Sequence, residues 1–304
     1  MRPFRFAITT TRADSGAEWR AKARRIEELG YDTLLLTDHL TQQLAPIPAM
    51  AAALEATTTL RVGSYVFSND YRNPLMLAKE IATLDHLSGG RVDFGLGAGW
   101  YVRDYEMLGI PYDPPGVRVS RMIEAVRLLD RLFSEDVVDS SGSFYTVHGA
   151  RLLPKRPRPP LMIGAGGPRM LRFAAEHADI IALNPQFSAD GHPILADLTS
   201  GATERKLSQL RAELGERLAK VELNIFIVDA GVTDEPRSLF DAVATRLKGA
   251  ATQLVDSPFF LYGSAAELKR TLLERRERLG ISYIGLPDKA MEPFAAVVRE
   301  LRGL

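Results

Sequence analysis

Gly90-Arg91-Val92-Asp93-Phe94-Gly95-Leu96-Gly97-Ala98-Gly99-Trp100 begins as a buried strand and ends as bare backbone. Val92, Phe94 and Leu96 alternate as strand residues do, and from Gly95 to Gly99 every second residue lacks a Cβ. Such spacing lets another molecule approach the main chain closely and lets N–H groups turn toward an anion. A second stretch repeats this logic, since Leu161-Met162-Ile163 runs into Gly164-Ala165-Gly166-Gly167 and Pro168 then opens a helix. A lone GxGxG reads most simply as tight strand-to-helix packing. Two strands ending in glycine loops point instead to an edge that faces a ligand. A dinucleotide fingerprint would place a third glycine where Trp100 stands, so a doubly wound nucleotide fold finds little support.

Working outward, strands and helices alternate. Residues 5–10 read as a first strand, and Ser15-Gly16-Ala17-Glu18 has the spacing of a capping box. Trp19, Ala23, Ile26 and Leu29 share a helical face that Gly30 ends, and residues 31–36 form a fully buried strand leading to Thr37-Asp38-His39. An alanine-rich helix over 48–57 leads to a strand over 60–67, and Asn73-Pro74 opens a helix whose inward face is Leu77, Ile81 and Leu84. The glycine-ended strand follows, then an amphipathic helix over 118–133. Residues 134–160 break the rhythm, first polar and then proline-rich, with a plausible small strand over 143–147; they read as an insertion rather than a linker. Alternation then resumes with strands over 161–163, 179–183, 221–228 and 281–286. Helices over 170–177, 203–218 and 268–279 separate them, with one more marked by Leu239, Val243 and Leu247 and a second capping box at Ser264 to Glu267, and a helix over 293–301 closes the chain.

Eight strands, nearly all followed by helices and with no compositional break across 1–304, predict one α/β domain, a closed (β/α)8 TIM barrel with an insertion around 134–160. Active sites of such barrels sit at the C-terminal strand ends. That edge gathers Asp38-His39, residues 64–69, Gly97 to Trp100, Gly164 to Gly167 and Asn184-Pro185.

Composition bounds the function. The 304 residues carry 38 Lys and Arg against 38 Asp and Glu, so no net field recruits nucleic acid or an anionic membrane. The absence of cysteine excludes disulfides, thiolate metal sites and thiol nucleophiles. No apolar run is long enough to span a bilayer, and the first residues lack a signal-peptide core, so a soluble, cytoplasmic protein is expected.

His39 is the only one of the five histidines at an expected strand end, preceded by an acid that could fix its tautomer or bind a ligand donor. An isolated Asp-His pair is as often structural as functional, and the barrel mouth tips it toward function. No H-x-E, H-E-x-x-H or paired D-x-D lies at the strand ends, so no metal is expected; no G-x-S-x-G elbow supports hydrolysis. Arg24-Arg25 and Arg275-Arg276 with Arg278 sit on Glu-rich helices and read as solvated faces.

The order of motifs resembles the luciferase-like flavin and deazaflavin oxidoreductases across nearly the whole chain. It comprises E-E-L-G before Y-D-T-L-L-L-T-D-H (27–39), N-P at 73–74, L-S-G-G-R-V-D-F-G-L-G-A-G-W (87–100), L-G-I-P (108–111) and G-A-G-G-P (164–168). It is most similar to the actinobacterial branch that uses coenzyme F420, with FMN as the alternative cofactor. The resemblance implies an F420-dependent hydride transfer, in the reductase sense, to a small-molecule or peptide substrate by a homodimeric enzyme; an FMN-dependent monooxygenase and a non-catalytic flavin-binding barrel are the competing readings. It implies cofactor contacts from Asp38, Ser64, Tyr65, Phe67, Gly97, Ala98, Gly99, Gly164, Ala165, Gly166 and Gly167, substrate contacts from Trp100, Tyr101 and Asn184, and catalysis by His39. It also implies a bulge closed by a non-proline cis peptide between Ser64 and Tyr65, with Tyr65 offering a flat face to the ring. One departure stands out: the family's sugar-phosphate dehydrogenases carry glutamate at the position of Trp100 and a tryptophan where Gln42 and Gln43 stand, which argues against sugar-phosphate oxidation and for a less polar or bulkier substrate.

Overall fold

The computed structural model describes residues 1–188, 192–249, 252 and 254–304. Its strands are β1 (Arg5–Thr9), β2 (Thr33–Leu36), β3 (Arg61–Ser64), β4 (Phe67–Ser68), β5 (Val92–Gly97), β6 (Val138–Ser141) and β7 (Thr146–Ala150). They continue as β8 (Leu161–Ala165), β9 (Ile180–Leu183), β10 (Glu222–Phe226), β11 (Asp229–Val232), β12 (Phe260–Gly263) and β13 (Tyr283–Pro287). The helices are α1 (Gly16–Glu28), α2 (Pro46–Ala56), α3 (Pro74–Leu87), α4 (Val102–Leu108) and α5 (Pro115–Ser134). After the insertion come α6 (Pro168–His177), α7 (Ser200–Leu214), α8 (Pro236–Arg246), α9 (Ala265–Leu279) and α10 (Ala295–Leu301).

The parallel order β3-β2-β1-β13-β10-β9-β8-β5-β4 is closed by a further pairing of β3 with β5, so the expected barrel forms. The strands are buried on both faces, as parallel strands under a ring of helices must be. Ala7, Leu35, Tyr65, Met162, Ala182 and Tyr283 pack inside the barrel, while the larger apolar cluster lies between strands and helices. The N-terminal end of the barrel is plugged by charge: Arg5 meets Asp93 at 2.8 Å and Glu222 at 2.6 Å, Arg61 meets Asp93 at 2.7 Å, and the Arg5 guanidinium lies 4.2 Å from the Tyr283 ring centre. Burial pushes the Glu222 carboxyl above its ordinary range even with Arg5 beside it.

The structure departs from the sequence reading in four places. The third strand is not one run but β3, paired with β2 and β5, and β4, paired with β5, with Tyr65 and Val66 falling between the two. Residues 134–160 hold an antiparallel hairpin, β6 with β7, rather than one strand over 143–147. Two elements escaped the periodicity, the short helix α4 and the parallel pair β11–β12 on the outside of the barrel. Finally, Ser15 accepts the Glu18 N–H at 3.1 Å, but the Glu18 carboxylate takes the Asp14 N–H at 2.7 Å, so that box is incomplete; Ser264 and Glu267 form the full reciprocal one.

Glu27, the first residue of the E-E-L-G motif, ties α1 to the turn before β3. Its Oε1 accepts the N–H groups of Thr58 (2.9 Å), Thr59 (2.6 Å) and Leu60 (2.9 Å) and the Thr59 hydroxyl (2.9 Å). Burial opposes its charge, but the N–H donors of Thr59, Leu60 and Thr58 outweigh that and hold the carboxyl below its ordinary range. A depressed carboxyl contributes stability above its unfolded pKa of about 4.3 and loses it as pH falls through the folded value. Glu27→Gln is therefore expected to lower stability by roughly 1 kcal/mol at pH 7, a figure already discounted for its partial exposure, and by less at pH 3. Urea unfolding at both pH values checks this; an equal loss at both would assign the effect to shape rather than charge.

Candidate active site

His39 stands just beyond β2 at the C-terminal mouth of the barrel. Its partner is not the neighbouring Asp38 but Asp104, two residues into α4: His39 Nδ1 lies 2.6 Å from Asp104 Oδ2. Asp104 is fully buried and also accepts the Leu40 N–H on Oδ1 at 3.0 Å and the Tyr71 hydroxyl on Oδ2 at 3.1 Å. A carboxylate only accepts, so Nδ1 must carry a proton where it faces Asp104, which leaves Nε2 as the nitrogen on the side of the mouth. The sequence reading missed Asp104 because α4 is too short to show a period, and only its place just after the glycine loop could have drawn attention to it.

Asp38 has another occupation. It accepts a bidentate pair from Arg72 at 2.5 and 2.9 Å and the Ser68 N–H at 2.9 Å, so it fixes the turn after β4 and stands as a tether rather than a free ring contact.

The imidazole is walled by aromatic rings. Trp100 meets it edge to face with centroids 5.3 Å apart and Tyr101 does so at 5.6 Å. Phe187, on the segment after β9 and also missed in the sequence, stacks on Trp100 at 4.7 Å. The glycine loop that carries Trp100 is fastened from behind, since the Tyr112 hydroxyl donates to the Trp100 carbonyl at 2.8 Å and Arg118 Nε to the Gly99 carbonyl at 3.3 Å.

The cis peptide falls one residue later than expected, at Tyr65–Val66, and it is Val66 that faces the glycines. A Cβ built on Gly95, Gly97 or Gly164 would meet a Val66 methyl at 3.0, 2.6 or 3.4 Å. The Tyr65 ring instead lies within the barrel, 5.6 Å from Phe226, with its hydroxyl donating to Asn184 Oδ1 at 2.9 Å. Much of the glycine spacing thus serves the chain's own packing. Gly99, at φ +73, would set a Cβ 2.0 Å from the Tyr105 hydroxyl, and Gly166 would set one 2.9 Å from the Asn184 carbonyl.

Three further residues implied as cofactor contacts are corrected by burial. Ser64 is fully enclosed and exchanges hydrogen bonds with the Gly95 carbonyl and N–H at 2.8 and 3.0 Å. Phe67 is core, packed on Phe94, and Ala165 is 1% exposed within β8. Ala98, Gly164, Gly166 and Gly167 keep partial exposure at the mouth, as do Trp100, Tyr101 and Asn184.

Gly167 differs from the other glycines of the two loops because no atom of the described residues lies within 4 Å of its Cβ position and its backbone is extended at φ −100. It caps α6, no side chain caps that helix start, and Pro168 occupies the first turn. An open, half-buried helix N-terminus at the barrel mouth has the donor chemistry a phosphate needs. The residues present therefore fit a phosphate-bearing cofactor.

The family model of the luciferase-like monooxygenases matches residues 2–215. The chain is 34% identical over 164 residues to 5,10-methylenetetrahydromethanopterin reductase of Archaeoglobus fulgidus, covering 54% of this chain and 48% of that protein. It is 31% identical over 196 residues to the F420-dependent glucose-6-phosphate dehydrogenase of Intrasporangium calvum, covering 61% and 58%. The chain thus spans about half the length of the curated relatives it matches. Among solved structures, an F420-dependent secondary alcohol dehydrogenase in complex with an F420-acetone adduct is similar with a TM-score of 0.80, over 99% of this chain and 100% of that one, at 20% identity; the likeness is one of fold.

Proposed function

The chain belongs to the luciferase-like monooxygenase family, and from that premise we propose that it holds coenzyme F420 at the barrel mouth and transfers a hydride between the deazaflavin and an organic substrate, working as a reductase. The observation that carries the chemistry is the His39–Asp104 pair at that mouth. When bound, F420 supplies a ring carbon that gives or accepts a hydride and reacts poorly with oxygen. His39 Nε2 supplies or removes the accompanying proton, and Asp104 holds the ring in the tautomer that leaves Nε2 available. Gly166, Gly167 and the first turn of α6 would hold the phosphate, with Asn184 beside them. Trp100, Tyr101 and Phe187 would exclude water and favour an apolar or planar substrate over a sugar phosphate. The F420 dependence named for the Intrasporangium calvum relative supports the cofactor; among the described residues no helix is long and apolar enough to cross a membrane, and the reading includes a cytoplasmic homodimer.

Titration of the purified protein with F420 and with FMN tests the reading. F420 is expected to bind at least about tenfold more tightly, a ratio that needs only about 1.4 kcal/mol. Tighter FMN binding would move the function to a monooxygenase. In the same titration Gly167→Val is expected to lose F420 while its thermal midpoint stays near that of the parent, because no atom of the described residues lies within 4 Å of the Cβ position; unchanged affinity would clear the start of α6 of any phosphate.

A further inference from the structure

The hydrogen bonds behind His39 do not stop at Asp104. Tyr71, in the 3-10 turn Asn69–Tyr71 after β4, donates to the same Asp104 oxygen that His39 Nδ1 approaches. Its ring meets that of Tyr105 edge to face at 5.5 Å, and the Tyr105 hydroxyl donates to Asp70 Oδ2 at 3.0 Å, an oxygen that also accepts Arg121 Nη1 at 2.8 Å. Asp70 lines an outer cleft of about 370 Å³ together with Tyr71, Asp113, Arg121 and Phe144, none of which belongs to the aromatic wall around His39.

One group stands between the two phenols. Ser68 Oγ is buried, lies beside both the Tyr71 and the Tyr105 hydroxyls, and has no aligned hydrogen-bond partner. Gly99 makes this convergence possible, since a Cβ there would stand 2.0 Å from the Tyr105 hydroxyl and 2.8 Å from Ser68 Oγ. Buried hydroxyls are normally satisfied, and an unaligned one in the middle of a polar chain is free to turn toward either neighbour.

We propose that Tyr71, Ser68 and Tyr105 form a proton path from Asp104 to Asp70, through which the His39–Asp104 pair exchanges protons with the outer cleft while cofactor and substrate cover the mouth. The inference rests on His39 acting as described above. For each proton that Nε2 takes from the substrate, the Nδ1 proton passes to Asp104. Asp104 passes one to the Tyr71 oxygen as Tyr71 gives its own to Ser68, Ser68 gives its own to Tyr105, and Tyr105 gives its own to Asp70. The reverse order delivers a proton when Nε2 gives one up. No electron moves and each hydroxyl ends with one proton, turned the other way. When the mouth reopens, solvent takes the Nε2 proton while the path run in reverse returns one from Asp70 to Nδ1, which restores the tautomer and turns each hydroxyl back.

The test is the exchange of the His39 Nδ1 proton with water, followed by NMR on protein labelled with 15N-histidine, both free and after titration with F420. In Ser68→Ala and Tyr105→Phe, neither of which touches His39, the exchange is expected to slow roughly tenfold in both states while the Nδ1–H chemical shift stays that of the parent. The unchanged shift separates conduction from positioning, and two variants guard against one that fails to fold. Exchange at the parental rate in both variants would overturn the path. A parent that fails to bind F420 would sink the proposed function instead, and the free-protein measurement would still decide the path.

Discussion

His39→Ala is expected to slow turnover by about 10²–10⁴-fold, the usual worth of a positioned acid or base, while shifting F420 affinity by less than about threefold. The asymmetry follows from where the ring stands. His39 is 23% exposed at the mouth, pinned from behind by Asp104 and from the sides by Trp100 and Tyr101, so its free edge faces the space a substrate would fill. The groups suited to hold the phosphate lie on other strands, at Gly167 and Asn184, and none of them bonds His39. Stability is expected to fall modestly, because Asp104 keeps Leu40 N–H and the Tyr71 hydroxyl as donors. Steady-state rates set against equilibrium titration in the parent and variant check both halves. Equal rates would reduce His39 to a packing residue, and a matching loss of affinity would make it a cofactor contact.

The barrel was legible because its signals are local. Buried parallel strands show as short apolar runs, and the glycines, prolines and caps between them punctuate the chain at regular intervals. What failed at the level of fold was brief or irregular. The third strand breaks at Tyr65 and Val66, and no rule of alternation distinguishes residue 65 from residue 66 as the one that faces the glycines. The site was legible by position but not by partner. Asp38 adjoins His39 in sequence, yet successive residues leaving a strand point in different directions, so Asp38 reaches Arg72 while a residue 65 positions away reaches the imidazole. The glycines behave in the same way. Bare backbone announces that something comes close, and only coordinates tell that Val66 and Tyr105 approach most of it and that Gly167 stays open. Phe187 carried no signal, because one aromatic residue in an irregular segment has no period to betray it.

Asp104→Asn separates orientation from mere packing at this site. The substitution keeps size and shape but replaces one acceptor oxygen by an NH₂ donor. Leu40 N–H donates to Oδ1, so the asparagine carbonyl is held there and its amide nitrogen faces His39 Nδ1. The opposite rotamer would set that NH₂ against the Leu40 N–H in a fully buried site, leaving two donors unsatisfied at about 1–3 kcal/mol each. With a donor facing it, Nδ1 must accept, the imidazole proton moves to Nε2, and the carboxylate that would stabilise the proton-giving imidazolium is gone. Turnover is therefore expected to fall by about 10²–10⁴-fold, as in other enzymes whose histidine loses its orienting carboxylate, with F420 affinity and thermal midpoint close to those of the parent. The 15N spectrum of His39 gives the readout that packing would not move, since the protonated nitrogen should change from Nδ1 to Nε2. An Asp104→Asn variant that keeps both the parental tautomer and the parental rate would show that Asp104 only fills space, and the role given to the His39 pair would fall with it.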